Sequence, residues 1–173
     1  MKLLLITGLP GTGKTTLARR LASRYGVALL GKDLIKEPLL NTLGAGTGLQ
    51  SRLLSDASFA VLFAMAREFV AANLDLVLEG NFRPGEHEDA VAALAAARVA
   101  QVLCRIDEPT RVARLAARKQ QRHAGHQDAD PAVMMQRSSD EFLDLPGERL
   151  ALDCGEFPVT RQIDAIDRWW RQG

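Results

Sequence analysis

The chain has 173 residues, 47% of them hydrophobic and 25% charged, with a formal net charge of +1. That length and composition suit one ordinary globular domain, read here as spanning residues 1–173. A near-zero net charge excludes a global pull toward nucleic acid or membrane, so any basic site must be local.

The chain opens with Leu3-Leu4-Leu5-Ile6, an apolar run that predicts a buried strand and is too short for a signal-peptide core or a spanning helix. A cytoplasmic protein is expected on that ground. The run leads into Gly8, and Gly13-Lys14-Thr15-Thr16 follow, which completes G-x-x-x-x-G-K-[ST] between a strand and a helix. Gly8, Gly11 and Gly13 let backbone amides turn inward, where a Cβ would hold phosphate oxygens away. With Thr12 and Thr16 they form the expected phosphate cradle at the helix N-terminus. Lys14 is expected to reach the β- and γ-phosphates, and the Thr15 hydroxyl to bind magnesium.

The first helix is predicted to run to Tyr25, with Leu17, Ala18, Leu21 and Ala22 as its apolar stripe and Gly26 as its stop. Val27 to Leu30 form a second strand, which delivers Gly31-Lys32-Asp33 to the same sheet edge as the phosphate loop. Residues 41–50 read as a Gly-rich loop. Ser55 or Asp56 then caps a helix to about Ala72, with Phe59, Leu62, Phe63, Ala66 and Phe69 on one side. Leu74 to Leu78 form the third strand, which ends in Glu79-Gly80-Asn81-Phe82-Arg83. A helix over 86–97 and a fourth strand over Val99–Ile106 follow.

A helix from Glu108 carries Arg111, Arg114, Arg118 and Arg122 on one face, and no acid interrupts it before Asp128. Residues 123–130 break that helix, Asp130-Pro131 starts another to about Phe142, Arg149 to Asp153 form the fifth strand, and an amphipathic helix with Ile163, Ile166 and Trp170 closes the chain. Strands alternating with helices mean a three-layer α/β fold with a parallel sheet. Cys104 and Cys154 have no metal-ligand spacing and read as buried thiols. His123 and His126 suggest a metal pair but lack a third ligand nearby and read rather as lid histidines contacting solvent or nucleotide; His87 gives no signal; Lys32 either faces the acceptor or, as lone lysines usually are, is solvated, and it is left out of the site.

GLPGTGKTT, an aspartate just after the second strand, a glutamate ending the third, and an arginine-bearing segment before the last strand together resemble the small P-loop kinases. The likeness is to P-loop kinase-like ATPases of the AAA type, beside zeta-toxin-like, chloramphenicol phosphotransferase-like and polynucleotide kinase-like proteins. It covers nearly the whole chain, although the chain is shorter than zeta toxins and lacks their extra elements. The resemblance implies a five-stranded sheet in order 2-3-1-4-5 and a lid between strands 4 and 5, about residues 115–135. It implies ATP and Mg²⁺, with transfer of the γ-phosphoryl group to an acceptor hydroxyl.

On that pattern Asp33 takes the acceptor's proton; the alternative is a helix N-cap. Glu79 holds magnesium or contacts the acceptor; the alternative is a strand-end surface glutamate. Asn81 and Arg83 are candidates for acceptor contact. Arg118 and Arg122 are expected to close over the β- and γ-phosphates, with Arg111 and Arg114 nearer the helix base. Two other functions fit the phosphate loop: a polynucleotide 5′-hydroxyl kinase, disfavoured by the charge and few aromatics, and a nucleotide-driven switch or ATPase with no acceptor.

Overall fold

A computed structural model describes residues 1–44, 48–96, 98–118, 140–155 and 160–172. β1 (Lys2–Thr7) lies at the centre of a five-stranded sheet. It is followed by α1 (Lys14–Tyr25), β2 (Ala28–Gly31), α2 (Lys32–Leu43), α3 (Gly48–Ala71), β3 (Leu76–Glu79) and α4 (Glu88–Ala92). β4 (Arg98–Arg105), α5 (Glu108–Arg118), β5 (Glu148–Asp153) and α6 (Thr160–Arg171) complete the described elements. The strand order is β2-β3-β1-β4-β5, all neighbours parallel, as the resemblance implies.

β1 is covered on both faces, so its residues read as a continuous apolar run with no alternation. Leu4 and Ile6 pack with Leu17, Leu21, Val102, Ile166 and Trp170 on one side. Leu3 and Leu5 pack with Phe59, Leu62, Phe63, Leu78 and Phe82 on the other. Both cysteines are free thiols in the first of these cores. No helix among the described residues is long and apolar enough to cross a membrane.

The helices differ from the periodicity in three places. α2 continues to Leu43 and α3 starts at Gly48, so most of the predicted 41–50 loop is helical. Ser55 and Asp56 therefore lie inside α3 and cap nothing. The early turns of α3 are tied to α2 by a bond from Lys36 Nζ to Ser51 Oγ, 3.1 Å. α4 has five residues where an Ala-rich helix over 86–97 was expected. Ala95 takes a positive φ of 50°, which ends helical geometry early. Residues 140–142 are not helical, and the rest of the helix expected from Pro131 lies outside the described residues, as do His123 and His126.

α6 is held to α1 by a compact polar cluster. Asp167, 6% exposed, accepts from Arg24 Nε at 2.9 Å and from Tyr25 Oη at 2.8 Å, while the Tyr25 ring stacks on Trp170 at 4.2 Å. The Arg24 hydrogen bond, aided by that from Tyr25, holds the Asp167 carboxyl below the usual carboxylate range despite its burial. A depressed folded value stabilises above the unfolded value of about 4 and is lost as pH falls through the folded one. Asp167→Asn is therefore expected to lower the melting temperature by several degrees at pH 7, consistent with about 1.5–3 kcal/mol for a charged hydrogen bond. The difference from wild type should shrink below about pH 4 in thermal melts taken across pH.

Candidate functional site

The phosphate loop leaves β1 at Gly8 and ends where α1 begins. Gly8, Gly11 and Gly13 have φ of 141°, 89° and 91°, conformations that L side chains rarely adopt. At Gly8 the need is also steric, since a Cβ would fall 2.4 Å from the carbonyl oxygen of Cys104 on β4. Thr12 is buried and closes the loop on itself, its hydroxyl donating to the Leu9 carbonyl at 2.8 Å. Gly13 caps α1 without a side-chain acceptor. The first amides of that helix therefore form an anion-binding terminus. Lys14 is the first residue of α1, with its Nζ 3.5 Å from the Leu9 carbonyl, and Thr16 is exposed beside it.

The parallel register brings the acidic residues to this edge. Ile6 pairs with Glu79 across β1–β3, and Gly31 pairs with Glu79 across β2–β3. Glu79 is 2% exposed, and Thr15 Oγ1 donates to its Oε1 at 3.2 Å. Its other carboxylate oxygen lies against Gly31, where a Cβ would sit 3.3 Å from it. Glu79 thus touches the P-loop side with one oxygen and the β2 end with the other, and it is not a surface residue. Desolvation is the largest influence on it and raises its proton affinity; Asp33 adds to the rise, while Lys14, the Thr15 bond and Lys32 oppose it. A cation against Glu79 and Thr15 would keep that carboxyl ionised. A buried carboxylate and a hydroxyl 3.2 Å apart are hard oxygen donors of the kind magnesium takes, so the residues present fit that ion.

Asp33 is the second residue of α2 and not its cap, which is Gly31. An acid in the first turn is favoured by the helix dipole. Its Oδ1 lies 3.1 Å from Nζ of Lys32. Lys32 is only 8% exposed, which overturns its reading as a solvated lysine.

Asn81 is half-buried on the loop after β3. Arg83 on that loop is ion-paired with Glu86 at 2.5 Å and lies 3.9 Å from Asp56 of α3. His87, silent in the sequence, anchors the loop. Its Nδ1 accepts the Arg83 backbone N–H at 2.9 Å, and its ring lies 4.2 Å from Phe59, with Phe82 edge-on. Burial and Arg83 make this imidazole harder to protonate than usual.

On the other side of the loop, α5 packs against Gly11 through Arg111 and Leu115. Arg111 is 6% exposed and 3.7 Å from Glu108. Arg114 donates from its two terminal nitrogens to the Cys154 and Gly155 carbonyls at 3.0 and 2.7 Å. These two arginines therefore bind protein groups at the helix base. Arg118 is the last residue of α5, and Arg122 lies outside the described residues.

Among known proteins, a protein-family model described as an AAA domain matches residues 3–142. No curated protein matches the chain. Of solved structures, a candidate kinase from Chloroflexus aurantiacus J-10-fl shares 32% identity, with a TM-score of 0.87 over 99% of this chain and 97% of that one. A sugar kinase from Janibacter sp. HTCC2649 aligns at TM-score 0.65 and 17% identity over 98% and 94% of the two chains. A gluconokinase from Sinorhizobium meliloti 1021 aligns at TM-score 0.57 and 15% identity over 99% and 98%. The last two are alike in fold alone. With a complete phosphate loop at the head of α1, a 2-3-1-4-5 sheet, and a family match over residues 3–142, the chain belongs to the AAA-domain family of P-loop proteins.

Proposed function

We propose that the protein is an ATP-dependent kinase that transfers the γ-phosphoryl group to a hydroxyl of a small molecule. The observation that carries this reading is the meeting of Lys14, Thr15, Glu79 and Asp33 at one sheet edge, brought there by the Ile6–Glu79 and Gly31–Glu79 pairings. A bare ATPase has no need of a second carboxylate on the far side of Glu79. The candidate kinase from Chloroflexus, 32% identical over nearly the full length of both chains, supports the same class.

In this reading Gly8, Gly11, Thr12, Gly13, Lys14 and Thr16 bind the nucleotide phosphates. Thr15 and Glu79 hold magnesium, which when bound neutralises phosphate charge as the γ-phosphoryl group departs. Asp33 takes the proton of the acceptor hydroxyl. As that oxygen bonds to the γ-phosphorus, the bond from phosphorus to the β–γ bridging oxygen breaks and ADP leaves with the electron pair. Asn81 and Arg83 contact the acceptor from the loop pinned by His87. The catalysis asked of the protein is positioning and electrostatics.

Incubating the protein with γ-labelled ATP, a panel of polyols, sugars and nucleosides, and 5′-hydroxyl oligonucleotides tests the reading by where the label goes. Label on a small molecule supports it. Label only on oligonucleotides makes the protein a polynucleotide kinase, and label only in inorganic phosphate makes it an ATPase.

Arg118 and Arg122 are assigned to a lid that meets the transferring group. Arg118→Ala or Arg122→Ala is expected to cut turnover strongly, up to the roughly 10³-fold end of arginine contributions in related chemistry, with little change in melting temperature. Near-normal turnover for both would return these arginines to a solvated helix face.

A further inference from the structure

α3 is apolar on both faces. Phe59, Leu62, Phe63 and Ala66 are buried and make its core face. Turned away from them are Leu53, 59% exposed, Val61, 43%, and Met65, 41%, with Ala57, Ala60 and Ala64 exposed beside them. Spacings of four, three and four from Leu53 through Ala57 and Ala60 to Ala64 set one stripe, with the period of a helix–helix seam. Residues 57–66 hold no charge at all. A surface helix ordinarily keeps polar residues on its outer side, and one that is apolar all round is normally buried. Among the described elements α3 packs on α2, β2 and β3, which leaves the outer stripe uncovered.

The charges that bracket the stripe point to its occupant. Asp56 and Arg67 lie about three turns apart and within about 20° of each other around the helix, so they share one flank of the seam. In two antiparallel helices related by a two-fold axis, each flank meets the same flank of the other copy, run in the opposite direction. Asp56 then meets Arg67 of the second copy, and Arg67 meets its Asp56. Parallel pairing would set each charge against its like, which repels. The midpoint between the two charges falls at Val61–Leu62, so the exposed Val61 stands beside the axis and packs on its own copy. The alanines let the two backbones approach closely. Both charges can be reached. Arg67 is exposed, and the Asp56 side chain is 57% exposed, with Arg83 at 3.9 Å too far for a hydrogen bond. A membrane surface fits less well. An anionic bilayer attracts a basic rim, whereas this flank carries an acid and a base, and no described helix is long and apolar enough to span.

We propose that the outer face of α3 is a self-association surface, on which a second copy of this chain packs antiparallel across a two-fold axis beside Val61, with Asp56 paired to Arg67 at both ends. Burial of Leu53, Val61 and Met65 supplies the affinity, and the end charges set direction and register. The stripe holds none of the residues assigned to phosphate, magnesium or acceptor, so self-association stands apart from the phosphoryl-transfer reading.

The test is sedimentation equilibrium on the full chain over a range of concentrations, with A60E, D56R, R67D and D56R/R67D beside wild type. Thermal melts check that each variant folds. Wild type is expected to be a concentration-dependent dimer, and A60E, which puts a charge into the seam, a monomer. D56R and R67D should each weaken the dimer about tenfold or more, because the symmetry changes two contacts at once. The swap D56R/R67D should recover it, and D56R mixed with R67D should form a heterodimer tighter than either variant forms alone. Wild type that stays monomeric at every concentration overturns the proposal. If that monomer also floats with phosphatidylserine vesicles and A60E does not, the face is a membrane surface instead. A dimer that survives A60E lies on another surface, and a swap variant no tighter than the single ones means that α3 does not pair antiparallel; either result overturns the proposal as well. If A60E melts far below wild type, the charge variants, both at exposed positions, decide.

Discussion

Lys14→Ala is expected to weaken nucleotide phosphate binding and to remove activity, while leaving the fold in place. In the structure Lys14 crosses its own loop, 3.5 Å from the Leu9 carbonyl, a distance too long for a strong hydrogen bond. The ammonium thus contributes little to the loop's own stability. Its reach is toward the concavity formed by the Gly8–Gly13 turn, where phosphate oxygens would sit. A charge-assisted hydrogen bond contributes about 1.5–3 kcal/mol, and two such bonds to phosphate correspond to roughly 10²- to 10⁴-fold in affinity. Calorimetric titration with MgATP, with thermal melts as the control, measures this. An affinity equal to wild type would remove the nucleotide assignment at its base.

How much of this was legible in the sequence depended on whether the signal was local. The phosphate loop was, because its glycines, Lys14 and Thr15 fall within eight consecutive residues and each requirement is a backbone or side-chain property of that residue. The central sheet was legible too: β1, β3 and β4 are apolar runs that only a covered parallel sheet accommodates. Lys32 was not. A lone lysine reads as solvated, and its burial follows from the β2–β3 pairing that sets Gly31 beside Glu79, 48 residues on, which no local pattern reports. His87 was hidden for a similar reason, since its partners Phe59 and Phe63 lie on α3. The α2–α3 boundary was misplaced because glycine at 44, 46 and 48 signals a loop by propensity, while contact between the helix pair extends both helices into it. For Arg111 and Arg114, spacing alone placed them on a face shared with Arg118. The structure turns the first toward Gly11 and the second onto the carbonyls after β5.

Asp33→Asn is expected to separate binding from chemistry. The substitution keeps the side chain's size, and the asparagine oxygen can still accept from Lys32, so the 3.1 Å contact and the first turn of α2 survive in outline. What disappears is the ability to take a proton. If Asp33 accepts the acceptor's proton, turnover falls by about 10²- to 10⁴-fold, the range general bases contribute. MgATP affinity stays close to wild type, because the phosphate loop lies on the other side of Glu79 from Asp33. It can even rise slightly, since a negative charge near the triphosphate is gone. The measurement is single-turnover transfer of labelled phosphate, so that chemistry and not product release sets the rate. A fall of less than about tenfold under those conditions would mean that the carboxylate serves only to offset Lys32. Glu79 would then be the remaining carboxylate at the edge. Its burial, with one oxygen toward Thr15 and the other against Gly31, fits holding a cation far better than meeting an acceptor. The kinase reading therefore depends on Asp33 more than on any residue outside the phosphate loop.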